Sequence, residues 1–149
     1  MLPPVRRSAA AVERAIEIDA PAARVWQAVA ELERWPLWAA QMRKLSREGD
    51  VPLGLGSRVR VDPKGMPGGL WTVTEYDPPR SLTWTTDLAP GLRLVGGHLV
   101  EPVAGGSRAT FSLVASGALA TLLGPALTML FRRNTRLATD GLKRHCEAV

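Results

Sequence analysis

Apolar and polar residues alternate between Val12 and Asp19, with Val12, Ile16 and Ile18 on one side and Glu13, Glu17 and Asp19 on the other. This period of two predicts a half-buried strand, with Arg14 as the exception on its apolar side. Pro21 follows, and its fixed φ and missing N–H suit the first position of a helix. Val25, Val29 and Leu32 then recur at helical spacing beside Trp26, which predicts a short amphipathic helix. Pro36 interrupts its continuation, because it lacks a donor and disfavours the α conformation at Trp35. Two short helices are therefore expected before Met42, the second ending near Trp38.

From Met42 onwards the pattern becomes a series of short β-like segments. Ser57 to Val61, Leu70 to Tyr76, Leu82 to Leu88, Leu92 to Glu101 and Arg108 to Ala115 are the main candidates, with Met42 to Arg47 a weaker one. Gly49-Asp50, Pro63-Lys64-Gly65, Asp77-Pro78-Pro79, Ala89-Pro90-Gly91 and Gly105-Gly106 separate them as turns. Connections this short predict an antiparallel meander, since parallel strands need long crossovers.

The stretch Ala109 to Phe131 carries no charged residue, which raises a transmembrane reading. Its apolar period changes from two to three-and-four after Gly117, so a strand followed by a helix is the better account. Leu119, Leu122, Leu123, Ala126, Leu127, Leu130, Leu137, Ala138, Gly141 and Leu142 form the apolar stripe of a long packed helix. Pro125 is expected to start or kink it, with Arg132, Arg133, Lys143 and Arg144 on or beside its wet side. No transmembrane segment is expected.

At 149 residues, 46% hydrophobic and 22% charged, the chain has the make-up of one globular domain. A flexible segment is expected over residues 1–10, and a single domain over 11–149. The net charge of +5 comes from arginines scattered along the chain. They form no dense stripe, so specific nucleic-acid binding is not expected. The single Cys146 cannot form an internal disulfide, and residues 1–7 lack the apolar core of a signal peptide; a cytoplasmic location is expected. Cys146 itself is expected to be inert, and oligomeric state cannot be read from the residues.

The order of these features resembles the SRPBCC superfamily, also called START-like or Bet v 1-like, and within it the polyketide cyclase/dehydrase-like branch. The resemblance runs from Ala11 to Glu147. It is carried by Ile18-Asp19-Ala20-Pro21 with Val25-Trp26, by Trp38, by Gly54-Leu55-Gly56, and by the run Val73 to Trp84 containing Tyr76-Asp77-Pro78-Pro79-Arg80. Leu99-Val100-Glu101-Pro102, Gly106-Ser107-Arg108, Gly117, Leu142-Lys143 and Glu147 complete it. The resemblance implies an α+β helix-grip fold: a curved antiparallel sheet wrapped around a long C-terminal helix, with two short helices after the first strand and an apolar cavity between sheet and helix. It also implies a small hydrophobic partner such as a lipid, a polyketide or an aromatic molecule. Fold alone does not fix chemistry.

Familiar catalytic and cofactor motifs are missing. With His98 and His145 the only histidines, a histidine-based metal site is not expected. Gly54-Leu55-Gly56 lacks the third glycine of a dinucleotide loop and leads into a strand, so it reads as a turn and no cofactor is expected. The candidate site residues are polar or aromatic positions in phase with inward-facing neighbours. His98 shares a face with Leu92, Leu94 and Val100, as acid/base, ligand hydrogen-bonder, or a histidine satisfied at the cavity mouth. Glu75 shares phase with Trp71 and Val73, and if buried would need a partner such as Arg93 or Arg58; a solvent-facing Glu75 is the alternative. Trp71 and Trp84 are candidate cavity walls or ordinary core. Trp26, Trp35 and Trp38 are expected in packing, with Trp38 nearest an entrance. Asn134 lies in the stripe of the last helix and needs a partner in the cavity or in a neighbouring loop. The ligand-binding candidates are thus Trp38, Trp71, Glu75, Trp84, His98 and Asn134, with His98 and Glu75 the only catalytic candidates.

Three functions compete on these residues. The first is a binding or carrier domain for a small hydrophobic molecule. The second is a cyclase- or dehydratase-type enzyme on a polyketide-like substrate. The third is a module that docks on a protein or a membrane surface.

Overall fold

The structure is a computed structural model that describes residues 9–148. Most of the segment expected to be flexible lies outside the described residues, but Ala9 and Ala10 are already held to the sheet: the Ala9 N–H donates to the Ala115 carbonyl at 2.9 Å. Strand β1 (Ala10–Ile18) leads into helix α1 (Ala22–Ala30) and a 3₁₀ helix (Leu32–Leu37). Strands β2 (Met42–Arg47), β3 (Arg58–Pro63), β4 (Gly69–Asp77), β5 (Ser81–Ala89), β6 (Leu92–Val103) and β7 (Gly106–Ser116) follow, and helix α2 (Ala118–Glu147) closes the fold. The strands form one antiparallel sheet in the order β1-β7-β6-β5-β4-β3-β2.

That order explains the two small helices. β1 and β2 are neighbours in sequence but lie on opposite edges of the sheet, so α1 and the 3₁₀ helix carry the chain across. Val25, Trp26, Ala28 and Val29 of α1 and Leu32 and Trp35 of the 3₁₀ helix are buried on the way. Pro21 is not the first helical residue, as expected from its φ, but the extended residue just before it, with ψ of 146°. Its carbonyl accepts from the Arg24 and Val25 N–H groups, a role that needs no N–H of its own. Pro36 falls inside the 3₁₀ helix, whose short length tolerates the lost donor.

Helix α2 lies against the inner faces of β1, β7 and β6. It begins at Ala118, so Pro125 does not start it but sits within it, at a solvent-facing position. Gly117 adopts φ of 107°, a conformation that favours glycine, and a Cβ there would collide with the Gly91 carbonyl. That same carbonyl accepts from the Leu119 and Ala120 N–H groups at 2.9 and 3.2 Å, so the β5–β6 turn caps α2. Nearer its end, Gly141 lets α2 approach the Trp38 backbone, where a Cβ would strike the Trp38 carbonyl.

The apolar stripe of α2 is narrower than its sequence suggests. Ala120, Gly124, Leu127, Phe131, Ala138, Gly141 and Leu142 are buried, whereas Leu122 is 78% exposed and Leu123 is also exposed. The sheet covers only about one side of the helix, and the residues beyond that arc stay in solvent. Arg132, Arg133 and Arg144 are exposed, as expected. Arg14, the polar residue on the inner side of β1, does not enter the core but reaches Asp140 of α2 at 2.8 Å. Among the described residues no helix is long and apolar enough to cross a membrane, and Ala109–Phe131 divides into β7 and α2.

Candidate functional site

The inner face of the sheet and α2 enclose a cavity of about 90 Å³. Its floor is a set of rings. Trp35 of the 3₁₀ helix contacts Trp84 and His98 with ring centroids 5.2 Å from each, and Trp84 contacts Trp71 at 5.2 Å. Phe111 of β7 meets His98 edge-on at 4.8 Å. Val61 and Leu94 add aliphatic wall, and Asn134, Thr135 and Ala138 of α2 face the cavity from the other side. The lining residues that keep some solvent exposure are Met42, Met66, Pro67, Leu88 and Leu113, so the mouth lies by the β3–β4 loop.

Strand alternation places His98 inward, with Leu94, Gly96 and Val100 on the same face of β6. Its position opposite Leu82 brings Nδ1 to 3.0 Å from the Leu82 carbonyl oxygen. A carbonyl only accepts, so Nδ1 carries the proton and Nε2 keeps its lone pair. Burial pushes the His98 pKa from 6.5 down to about 4, against the smaller opposing pull of the Leu82 carbonyl. The imidazole is therefore neutral at pH 7.

Gly96 makes the Trp84 position possible. A Cβ on residue 96 would lie 2.7 Å from the Trp84 indole nitrogen, so only glycine leaves room for that ring across β6. Asn134 is buried, at 8% exposure, and its side-chain N–H donates to the Met66 sulfur at 3.3 Å. The partner that its place in the helix stripe demands is thus in the β3–β4 loop, and the contact spans the cavity mouth.

Two candidates lie elsewhere. Glu75 does not line the cavity. A bulge in β4 makes Val73 pair with Trp84 and Glu75 with Thr83, leaving Thr74 as the extra residue. The extra residue reverses the alternation, so Glu75 points outward and is exposed, while Tyr76 turns inward and packs on Trp26. The two arginines considered for it lie on the surface as well, Arg93 paired with Asp87 and Arg58 with Glu48. Trp38 is not at an entrance either. It is 5% exposed, packed between Trp35, Phe111 and the close approach of α2 at Gly141. Trp71, Trp84, His98 and Asn134 do come together at one cavity.

Sequence reasoning missed Gln41, Met66 and Gly96, and took Trp35 as packing alone. Gly96 carried a signal, a glycine in phase with Leu94 and His98 within a strand. Met66 and Gln41 lie in connections, where no periodicity marks an inward face. Gln41 is 7% exposed and its Oε1 is sealed from solvent without a hydrogen-bond partner. Among the described residues, His98 is the only titratable side chain that lines the cavity.

A curved sheet gripping a long C-terminal helix over a ring-lined cavity defines a helix-grip pocket protein. Residues 9–147 match the family model described as polyketide cyclase / dehydrase and lipid transport, and the chain belongs to that family. The chain is 35% identical over 94 residues to oxopyrrolidines biosynthesis cluster protein O of Penicillium oxalicum. That match covers 47% of this chain and 46% of the relative, so the chain matches about half the length of that curated protein. Among solved structures, a START superfamily protein from Mycobacterium smegmatis aligns with a TM-score of 0.74 at 16% identity, covering 92% of this chain and 97% of the other. The di-domain ARO/CYC StfQ from the steffimycin biosynthetic pathway aligns with a TM-score of 0.76 at 13% identity, covering 92% of this chain and 50% of StfQ. These structural likenesses establish the fold.

Proposed function

We propose that the protein binds a small, largely apolar molecule in the cavity between the sheet and α2. The observation that carries this reading is an unfilled space walled by Trp35, Trp71, Trp84 and Phe111 between the sheet and α2. Core packing alone would close such a space, because protein interiors are packed about as densely as organic crystals. The volume of about 90 Å³ favours a ring-sized guest over a long acyl chain. A larger guest requires Met42, Met66 and Leu88 at the mouth to move.

The test is native mass spectrometry and solvent extraction of the purified protein, followed by titration with an apolar fluorescent probe. A copurified small molecule or saturable probe uptake is expected. Absence of both, with the fold intact by circular dichroism, removes the reading.

A second reading, catalysis of a cyclisation or dehydration, draws on His98, whose unprotonated nitrogen could take a proton from a bound substrate. It is the weaker of the two, because Glu75 lies outside the cavity and no second titratable group among the described residues accompanies His98 there. A cytoplasmic location accords with either reading, and fractionation of the native host tests it.

A further inference from the structure

The outward side of α2 is a second surface, separate from the cavity. We propose that the first half of α2 docks on an anionic lipid bilayer, with Leu122 and Met129 entering the acyl boundary and Arg132, Arg133 and Arg136 meeting the headgroups. The inference goes beyond the binding reading and does not depend on what the cavity holds.

The helix carries two apolar stripes. One, from Ala120 to Leu142, is buried against the sheet; on the opposite side Leu122 is 78% and Met129 73% exposed, with Ala126 exposed between them. At about 100° per residue, Leu122, Ala126 and Met129 fall within roughly 60° of arc, and Arg133 and Arg136 continue the same strip. Single exposed apolar side chains are ordinary on a protein surface. Here Leu122, Leu123 and Met129 lie within about two turns of one helix and form a continuous apolar strip in water.

Charge decides what fits that strip. From Ala118 to Phe131 the helix carries no charge, and the positions that follow include Arg132, Arg133 and Arg136, all exposed. α2 holds no acidic residue before Asp140, and Asp140 is paired with Arg14 of β1. Glu13 of β1 shares a surface groove with Arg132 and Arg136, which still leaves the face with a net positive charge. An anionic bilayer matches both parts, because its acyl boundary takes the apolar strip while the long arginine stems reach back to the headgroups. A second copy of the chain suits the face less well. The apolar strip spans only roughly 12 Å of helix between Leu122 and Leu130, far short of a stable dimer interface.

Docking in this way also orients the cavity. Leu119, Leu123, Leu130 and Asn134 share one side of α2 by helical spacing, next to the exposed strip. The Leu119 N–H donates to the Gly91 carbonyl in the β5–β6 turn, and Asn134 donates to Met66 in the β3–β4 loop, so this side of the helix borders the mouth. A docked protein therefore holds the cavity mouth close to the bilayer.

The experiment is flotation of the full chain with phosphatidylcholine vesicles, with and without phosphatidylglycerol, at low and high salt. Wild type is expected to float with the anionic vesicles at low salt and to be released by high salt. Arg132→Gln/Arg133→Gln/Arg136→Gln should lower partition by about a hundredfold, at about fivefold per cation. Leu122→Gln/Met129→Gln should lower it by about tenfold or more. Leu37→Gln, at an exposed site beside Gly141 near the other end of α2, should leave it unchanged. All the replaced side chains are exposed, and circular dichroism checks that the variants fold; the salt and lipid dependence of wild type is a test that needs no variant. The proposal is overturned by no flotation with anionic vesicles at low salt, or by equal flotation with phosphatidylcholine alone. It is overturned equally by wild-type partition of Leu122→Gln/Met129→Gln, or by a loss on Leu37→Gln as large as theirs. Probe uptake by the cavity is read without vesicles, so the binding reading stands or falls separately.

Discussion

His98 Nδ1 lies 3.0 Å from the carbonyl oxygen of Leu82, its cross-strand partner, and this contact sets the chemistry of the cavity. It assigns the ring proton to Nδ1, turns the other nitrogen into an acceptor and holds the imidazole against Trp84 and Phe111. A histidine one position along the strand would face the outside and titrate like any surface residue.

The burial of His98 makes stability depend on pH. Burial lowers the folded pKa of His98 from 6.5 to about 4, so the unfolded chain binds the proton more readily. Stability at this site is complete above pH 6.5 and falls as pH drops towards 4, by up to about 3 kcal/mol. Urea unfolding of wild type and His98→Leu between pH 7.5 and 4.5 should show the wild type losing more over that interval. Parallel loss in the two proteins would show that other groups govern the decline.

Gly141 and Gly96 should tolerate no side chain, for different reasons. Gly141→Ala drives a methyl group into the Trp38 carbonyl, and neither the helix nor that backbone can yield cheaply. A loss of about 1–3 kcal/mol is expected in chemical denaturation. Gly96→Ala instead presses on the Trp84 ring, which can swing into the cavity. Its signature should be reduced probe binding together with the stability loss.

Phe111→Ala should enlarge the cavity beside His98 at a stability cost of about 3–5 kcal/mol. A calorimetric titration should then favour two-ring guests over one-ring guests relative to wild type. An unchanged preference would mean that the wall collapses into the space.

Met66→Ala should speed entry of an apolar probe without much effect on the melting temperature, since Met66 is half-buried and spans the mouth to Asn134. Stopped-flow fluorescence reads the association rate. An unaltered rate would place the entrance elsewhere.

The limits of sequence reading can be seen along a single strand. In β6 the alternation of Leu94, His98 and Val100 runs undisturbed, and His98 lies where its spacing indicates. In β4 the same logic fails after Val73, because the bulge adds Thr74 and reverses every later side chain. An inward Glu75 follows from the phase of Trp71 and Val73, which the bulge ends, and the solvent-facing alternative is the one that holds. Nothing in Val73-Thr74-Glu75 marks the bulge, since it exists only in the pairing with β5. The helix stripe fails differently: Leu122 at 78% exposure and Leu123 at 38% carry apolar side chains beyond the arc that the sheet covers. Trp38, expected in packing and nearest an entrance, is packed but not at a rim, because Gly141 lets α2 close over it.

The amino-acid sequence by itself determined the family, the order of strands and helices, and the inward faces of β5, β6 and α2 near Trp84, His98 and Asn134. The order of elements and the inward faces follow from local periodicity and from glycine and proline punctuation, whose effects act within a few residues, and the family from the resemblance that the quoted residues carry in that order. Only the tertiary structure decided which of these side chains share a cavity, how large that cavity is, and which atoms in it lack partners. Those properties arise between strands distant in sequence: a one-residue bulge, a glycine admitting a neighbour's ring, and a Leu82 carbonyl that commits one nitrogen of His98 and leaves the other open.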